Sequence, residues 1–378
     1  MQIHKFVKWM FILLLIGAML FSFNPSVQAG EMAIESRAED VVVTFFETID
    51  KQKYTYTNVE DELLEKVIVR ENNLLKKYLK DKIKLIQQRR KAFNLDPNLI
   101  ERNVNFIDKI NGSDYYEFEI QLTDTYAYSG QFNLTKERTE FYFKVVQDKD
   151  GQMKISEFKS DDPIDTAYLS ELDLSKALLA DKSAIEVEKK IFDSPVKPFI
   201  SNPVILAGSL ISFDRKAMVQ YAVDNAYSRP SNWGNFDSPN GKGDCTNFTS
   251  QIIYKGTGNS VMDRNGDLTW YYGGYSDRST SWTSVNYLYD YLVRNTGQGP
   301  QGYLATSSVI NAGMQLGDVV QIDLQNDGIF DHSTTIVYYQ NGAPQLTRIA
   351  CHTSDASDKL LVDYPGNKRW VHLTGFER

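Results

Sequence analysis

Two cysteines and four histidines are the side chains of this 378-residue chain best suited to covalent or acid–base chemistry. Cys245 stands in GKGDCTNFTSQIIYKG, after a glycine-rich loop and at the head of a run of helical spacing, Phe248, Ile252 and Ile253, that closes at Gly256. Asp244 is placed to cap that helix, which makes Cys245 its first residue. There the thiol meets unpaired N–H groups and the positive end of the helix dipole, both of which favour the thiolate. The Cys245 backbone N–H is also one donor for the oxyanion of a tetrahedral intermediate. A thiol nucleophile needs a base. In GDVVQIDLQNDGIFDHSTTIVYY, read as strand, turn, strand, His332 opens the second strand and is the leading candidate. QLTRIACHTSD reads as a third strand whose end carries His352, twenty residues on, so a hairpin would set both imidazoles on one edge with His352 orienting His332. Asp355 or an asparagine is the alternative orienter. His372, beside Trp370, reads as a packing or surface residue.

Each assignment has a plainer competitor. An even cysteine count in an exported chain allows a structural Cys245–Cys351 disulfide; with a free nucleophile, Cys351 is a buried small hydrophobe in an apolar strand. Asp323, Gln325, Asp327, Gly328 and Asp331 have the alternate spacing of half a calcium loop, but the closing Glu is missing, and an Asp/Asn/Gly-rich turn is the preferred reading. No cofactor or metal is called for. Trp270, Tyr271, Tyr272, Tyr275 and Trp282 suggest a groove for sugar or peptide, with Trp282 the substrate-binding candidate, against a core role on the helical face it shares with Val285, Leu288 and Leu292.

With these motifs in view, Phe213 to Arg378 resembles the bacterial "putative amidase domain" family, papain-like cysteine hydrolases related to the NlpC-type and CHAP-type wall hydrolases. The matching pieces are FDRKAMVQYAVDNAYSRPSNW, GDCTNFTSQ, SWTSVNYLYDYL, and GDVVQIDLQNDGIFDHSTTIV followed by CHTSD. The resemblance implies a papain-like α+β core with Cys245 as nucleophile, His332 as base and His352 as the polar third member. It implies an amide substrate, with cell-wall peptide favoured; the rivals are a cysteine protease or amide transferase acting on proteins, and a non-catalytic surface binding module.

The elements that position these residues begin further upstream. Lys5 and Lys8 precede an uncharged apolar run from Trp9 to Phe23, a break at Asn24-Pro25 and small residues ending at Ala29, the pattern of a signal peptide over residues 1–29. The expectation is a secreted protein, extracellular or associated with the cell wall, with no membrane partner after cleavage. The apolar run falls short of the roughly 20 residues of a membrane span. Loss of Lys5 and Lys8 takes the formal charge from −8 to −10, which disfavours nucleic acid and anionic surfaces.

Residues 30–159 read as an N-terminal α+β domain: a short helix over Ala38 to Ile49, a long amphipathic helix from Asn58 to Phe93, then an antiparallel meander through Phe118, Phe141 and Ile155. Residues 160–212, with four prolines and a helical stretch from Leu174 to Phe192, read as a linker. Residues 213–378 read as the domain that carries the chemistry. The fold class expected is α+β, a helix-borne cysteine packed on an antiparallel sheet with a separate N-terminal α+β domain.

Overall fold

Helices and strands follow one another in the order that hydrophobic spacing dictates, and the computed structural model describes residues 25–130, 133–194, 210–237 and 243–378. The expected leader lies for the most part outside the described residues. Helix α1 (Pro25–Thr48) leads to α2 (Asp61–Val67) and α3 (Asn73–Ala92). The single long helix expected from Asn58 to Phe93 is therefore two. Its break has a local cause: the β-branched run Val67-Ile68-Val69 leaves the helix to bridge Ile155, with the Val69 N–H donating to the Ile155 carbonyl at 3.0 Å. Asn72, not Asn58, caps the longer piece, its Oδ1 accepting from the Leu75 N–H at 3.2 Å.

Four strands follow, β1 (Pro97–Asn111), β2 (Tyr115–Tyr128), β3 (Leu134–Gln147) and β4 (Met153–Ser160), paired in sequence order as an antiparallel meander. Alternation along β2 and β3 turns Phe118, Ile120, Phe141 and Phe143 inward against Phe45 and Phe46 of α1. Helices α4 (Pro163–Tyr168) and α5 (Ser175–Phe192) come next. Then follow α6 (Arg215–Asn225), α7 (Cys245–Gly256), the two-stranded ribbon β5 (Tyr272–Gly274) and β6 (Asp277–Arg278), α8 (Thr280–Thr283) and α9 (Val285–Arg294). The chain closes with β7 (Gly299–Leu304), α10 (Ser307–Ala312), β8 (Val319–Asp323), β9 (His332–Tyr338), β10 (Arg348–Cys351), β11 (Asp355–Leu360) and β12 (Asn367–Glu377).

The fold class is α+β with one large antiparallel sheet. Among the described residues it has ten strands, in the order β1-β2-β3-β11-β10-β9-β8-β12-β7, with β4 beside β3. Where the sequence suggested two separate units, the strands form one sheet: β3 pairs with β11 through Lys136↔Ser357, Glu137↔Ala356 and Arg138↔Asp355. The buried face of β3 changes character to suit. Its apolar residues Phe141, Phe143 and Val145 serve the upstream core, while Thr135, Glu137 and Thr139 face the seam and find polar partners there. Glu137 takes the Lys359 ammonium at 2.6 Å, Thr139 meets Ser354, and the Thr135 hydroxyl donates to the Asp358 carbonyl. Across the same seam Arg90 of α3 makes a two-pronged pair with Asp363, at 2.6 and 2.7 Å, with the Tyr128 hydroxyl as a third donor.

Helices α6 and α7 pack on one face of the downstream strands around Met218, Phe248, Ile252, Trp270 and Trp282, and α10 on the other around Ile310, Ile322 and Ile349. No helix among the described residues is long and apolar enough to cross a membrane.

Candidate active site

The helix that carries Cys245 starts after Gly243, whose φ of +43° and whose missing side chain, which would stand 3.0 Å from the Thr353 hydroxyl, both call for glycine. Asp244 occupies the cap position but makes no side-chain cap, a correction to the sequence reading. Its carboxylate is claimed from the sides: Oδ1 accepts from the Phe236 N–H at 3.0 Å and the Asn247 amide at 2.9 Å, and Oδ2 lies 2.6 Å from Nδ1 of His352. The first turn of α7 is thus left without a capping side chain among the described residues.

Cys245 and His332 line one cavity of about 300 Å³, with Thr246, Thr283 and Asp331 also in its wall. Cys245 is free, its sulfur 3.7 Å from the Thr246 hydroxyl and facing the backbone N–H of Ser333, the residue after His332. His332 opens β9, as its sequence position suggested, and its Nε2 is buried with no hydrogen-bond partner among the described residues. An unpaired buried nitrogen is costly, and such groups concentrate where chemistry or a ligand uses them.

The electrostatics correct another expectation. Burial outweighs the Ser333 N–H and the Thr246 hydroxyl and, with the Asp237 and Asp244 charges adding to it, pushes the Cys245 thiol up to about 11. Burial, reinforced by the nearby Lys359 charge, brings His332 down to about 3. At neutral pH the site therefore holds a neutral thiol and a neutral imidazole, not a preformed thiolate–imidazolium pair. Asp331, raised by burial and by Asp323 and Asp327 to about 6, is the titrating carboxyl of the same cavity.

His352 follows the strand paired with β9, as the sequence reading had it, but its ring nitrogens do not turn to His332. Its Nδ1 meets Asp244 and its Nε2 meets the Asn225 carbonyl at 2.9 Å, while the ring lies flat on Phe248, 3.6 Å between centroids. The Asp244 carboxylate and the Asn225 carbonyl thus occupy both of its nitrogens. Neither nitrogen is left for His332, so His352 anchors the base of α7 to α6 and β10 instead of orienting the base. Asp355, the alternative orienter, is held by Arg229 at 2.7 and 3.1 Å. His372, on β12, pairs with Asp318 at 2.7 Å and is not part of the cavity lining.

Trp282 is likewise corrected. It is fully buried, donates from Nε1 to the Asn247 Oδ1 at 2.8 Å and packs on Trp270 and Trp233, so it supports α7 from behind and is out of a substrate's reach. Cys351 is a buried thiol beside the Tyr364 hydroxyl. In the 323–331 segment the Asp323 carboxylate accepts from the Asp327 and Gly328 N–H groups and Asp331 from that of Leu324, an acidic turn tied to its own backbone. No cluster of three or more His, Cys, Asp or Glu side chains able to hold a metal occurs among the described residues.

One wall was not legible beforehand. Pro163, Thr166 and Ala167 of α4 line the Cys245 cavity, and the Ala167 carbonyl and Tyr168 hydroxyl are bonded to Gln325 and Leu324 of the β8–β9 turn. The stretch taken for a linker closes one side of the site. The Pro163 after Asp162, whose Oδ1 accepts from the Ile164 N–H at 2.8 Å, marks a helix start, yet nothing local says what that helix covers.

A thiol and an imidazole thus line one cavity on the α+β sheet, and comparison with known sequences bears on what such a site does. Residues 212–374 match the family profile described as "Putative amidase domain", which points to amide hydrolysis. The chain is also 29% identical over 147 residues to the uncharacterized protein YhbB of Bacillus subtilis (strain 168), a match covering 39% of this chain and 44% of that protein. The chain thus spans under half the length of that relative. No solved structure matches it.

Proposed function

We propose that this chain is a secreted, cysteine-dependent amide hydrolase of the papain-like class, acting on cell-wall peptide. The observation that carries the reading is the pairing, in one cavity, of a free thiol at the head of α7 with the partnerless Nε2-bearing imidazole that opens β9. Export and the wall substrate rest on the leader-like start of the sequence and on the family resemblance.

Because thiol and imidazole are both neutral at rest, proton transfer accompanies attack. As the Cys245 sulfur bonds to the amide carbon, the imidazole of His332 takes the thiol proton, and the uncapped N–H groups of the first turn of α7, that of Cys245 among them, receive the oxyanion. The imidazolium then protonates the leaving amine as the C–N bond breaks, leaving a thioester. Water adds to the thioester, His332 takes its proton, and collapse releases the acid and restores the thiol.

The test is mass analysis of fragments released from purified wall material. The wild type should release peptides with new carboxyl and amino ends. Cys245→Ala should release none while keeping the wild-type circular dichroism and melting temperature, and release by that variant overturns the reading.

A further inference from the structure

A second cavity, larger than that of Cys245, lies elsewhere. About 720 Å³ in volume, it is bounded by the C-terminal half of α7, the 231–233 segment and the β5 ribbon. That volume is within the roughly 300–1,000 Å³ of small-ligand sites. Its lining is aromatic and amide. Trp233, half-buried, is fixed by rings on several sides, with Tyr272 at 5.1 Å, Tyr254 at 5.8 Å and Trp282 at 5.5 Å. Asn232 and Asn259 add planar amides at the rim, and Gly273 and Gly274 contribute bare backbone.

Gln251 adds a third carboxamide to the wall. It is 2% exposed, and its Oε1 accepts from the Tyr221 hydroxyl at 2.8 Å, which fixes the amide at the cavity.

We infer that this cavity is a binding site for a neutral saccharide. A pyranose ring presents C–H bonds on its flat faces, which pack against the π-faces of Trp and Tyr, and hydroxyls at its edge, which exchange hydrogen bonds with carboxamides. Among the described residues of the lining, Lys255 is the one charged side chain, so the site has little to offer a polyanion. Gln251 and Tyr254 share α7 with Cys245. Six to nine residues at ~1.5 Å each place the sugar site about 9–14 Å along the helix axis from the thiol. A sugar held there would sit beside any group held at Cys245, but its binding does not depend on Cys245 being a nucleophile.

The experiment uses the full chain bearing Cys245→Ala, with tryptophan fluorescence and calorimetry as readouts. The probes are the tetrasaccharide of N-acetylglucosamine, cellotetraose and maltotetraose. At least one should bind saturably. Trp233→Ala and Tyr254→Ala should each weaken that binding by about tenfold or more, and Tyr287→Ala, an exposed tyrosine outside the lining, should leave it unchanged. If Trp233→Ala does not fold, Tyr254→Ala decides. Absence of binding by all three sugars in the millimolar range overturns the assignment, as does binding indifferent to Tyr254→Ala. Loss of sugar binding with wall cleavage intact, or the reverse, tells which of the two readings has failed.

Discussion

A buried thiol held in its neutral form reacts on a different schedule from an exposed thiolate. With Cys245 pushed up to about 11, alkylation by iodoacetamide should be slow at pH 7 and climb steeply toward pH 11, as followed by mass spectrometry. A plateau already reached at pH 7 would show an ionised sulfur. His332 writes the complementary signature into stability. Its ring binds a proton near pH 3 when folded and near 6.5 when unfolded, so above pH 6.5 its contribution is fully present. Between 6.5 and 3 the unfolded chain takes up a proton that the native chain does not, and stability is lost. His332→Gln removes that limb, so the melting temperature of the variant should fall less than that of the wild type as pH drops from 7 to 4; parallel curves would refute the buried neutral ring. The positions of Cys245 and His332 were legible because a helix start and a strand entry are local patterns. The ionisation of the thiol and the partners of His352 were not. Both depend on burial and on acceptors, Asp244 and the Asn225 carbonyl, that only the tertiary fold brings up.

Among elements, α7 and α4 divide the work: one presents the sulfur, the other narrows the approach to it. Thr166 is exposed on α4 and lines the cavity. Thr166→Trp should therefore raise KM by about tenfold, with kcat and melting temperature little changed; unaltered kinetics would mean that substrate enters elsewhere. The meander of β2, β3 and β4 and the start of α5 could be read from alternation and spacing, since each buries a face of regular period. The break between α2 and α3 could not, because Ile68 leaves its helix for a strand nearly ninety residues downstream. The role of α4 was hidden for the same reason. Its six residues announce a helix, while their cover over the cavity is set by Gln325 and Leu324 far along the chain.

At the scale of the molecule, the sheet ignores the boundary that composition suggested near residues 160–212. Tyr54, Tyr126 and Tyr128 of the first half share a core with Leu360 and Val362 of the second. Arg90 overcomes the burial of Asp363 and holds its carboxyl down at about 2. A chain limited to residues 213–378 would leave β11 with an unpaired edge and a buried-type carboxylate without its counter-ion, both costly. The seam has the geometry of a docking joint whose faces are already complementary. Two polypeptides made by dividing the chain after Ser194 should find each other and co-purify when expressed together, whereas Asp363→Ala in the second should prevent their recombination; the protein is in effect a natural candidate for a split reporter, assembled only where both fragments meet.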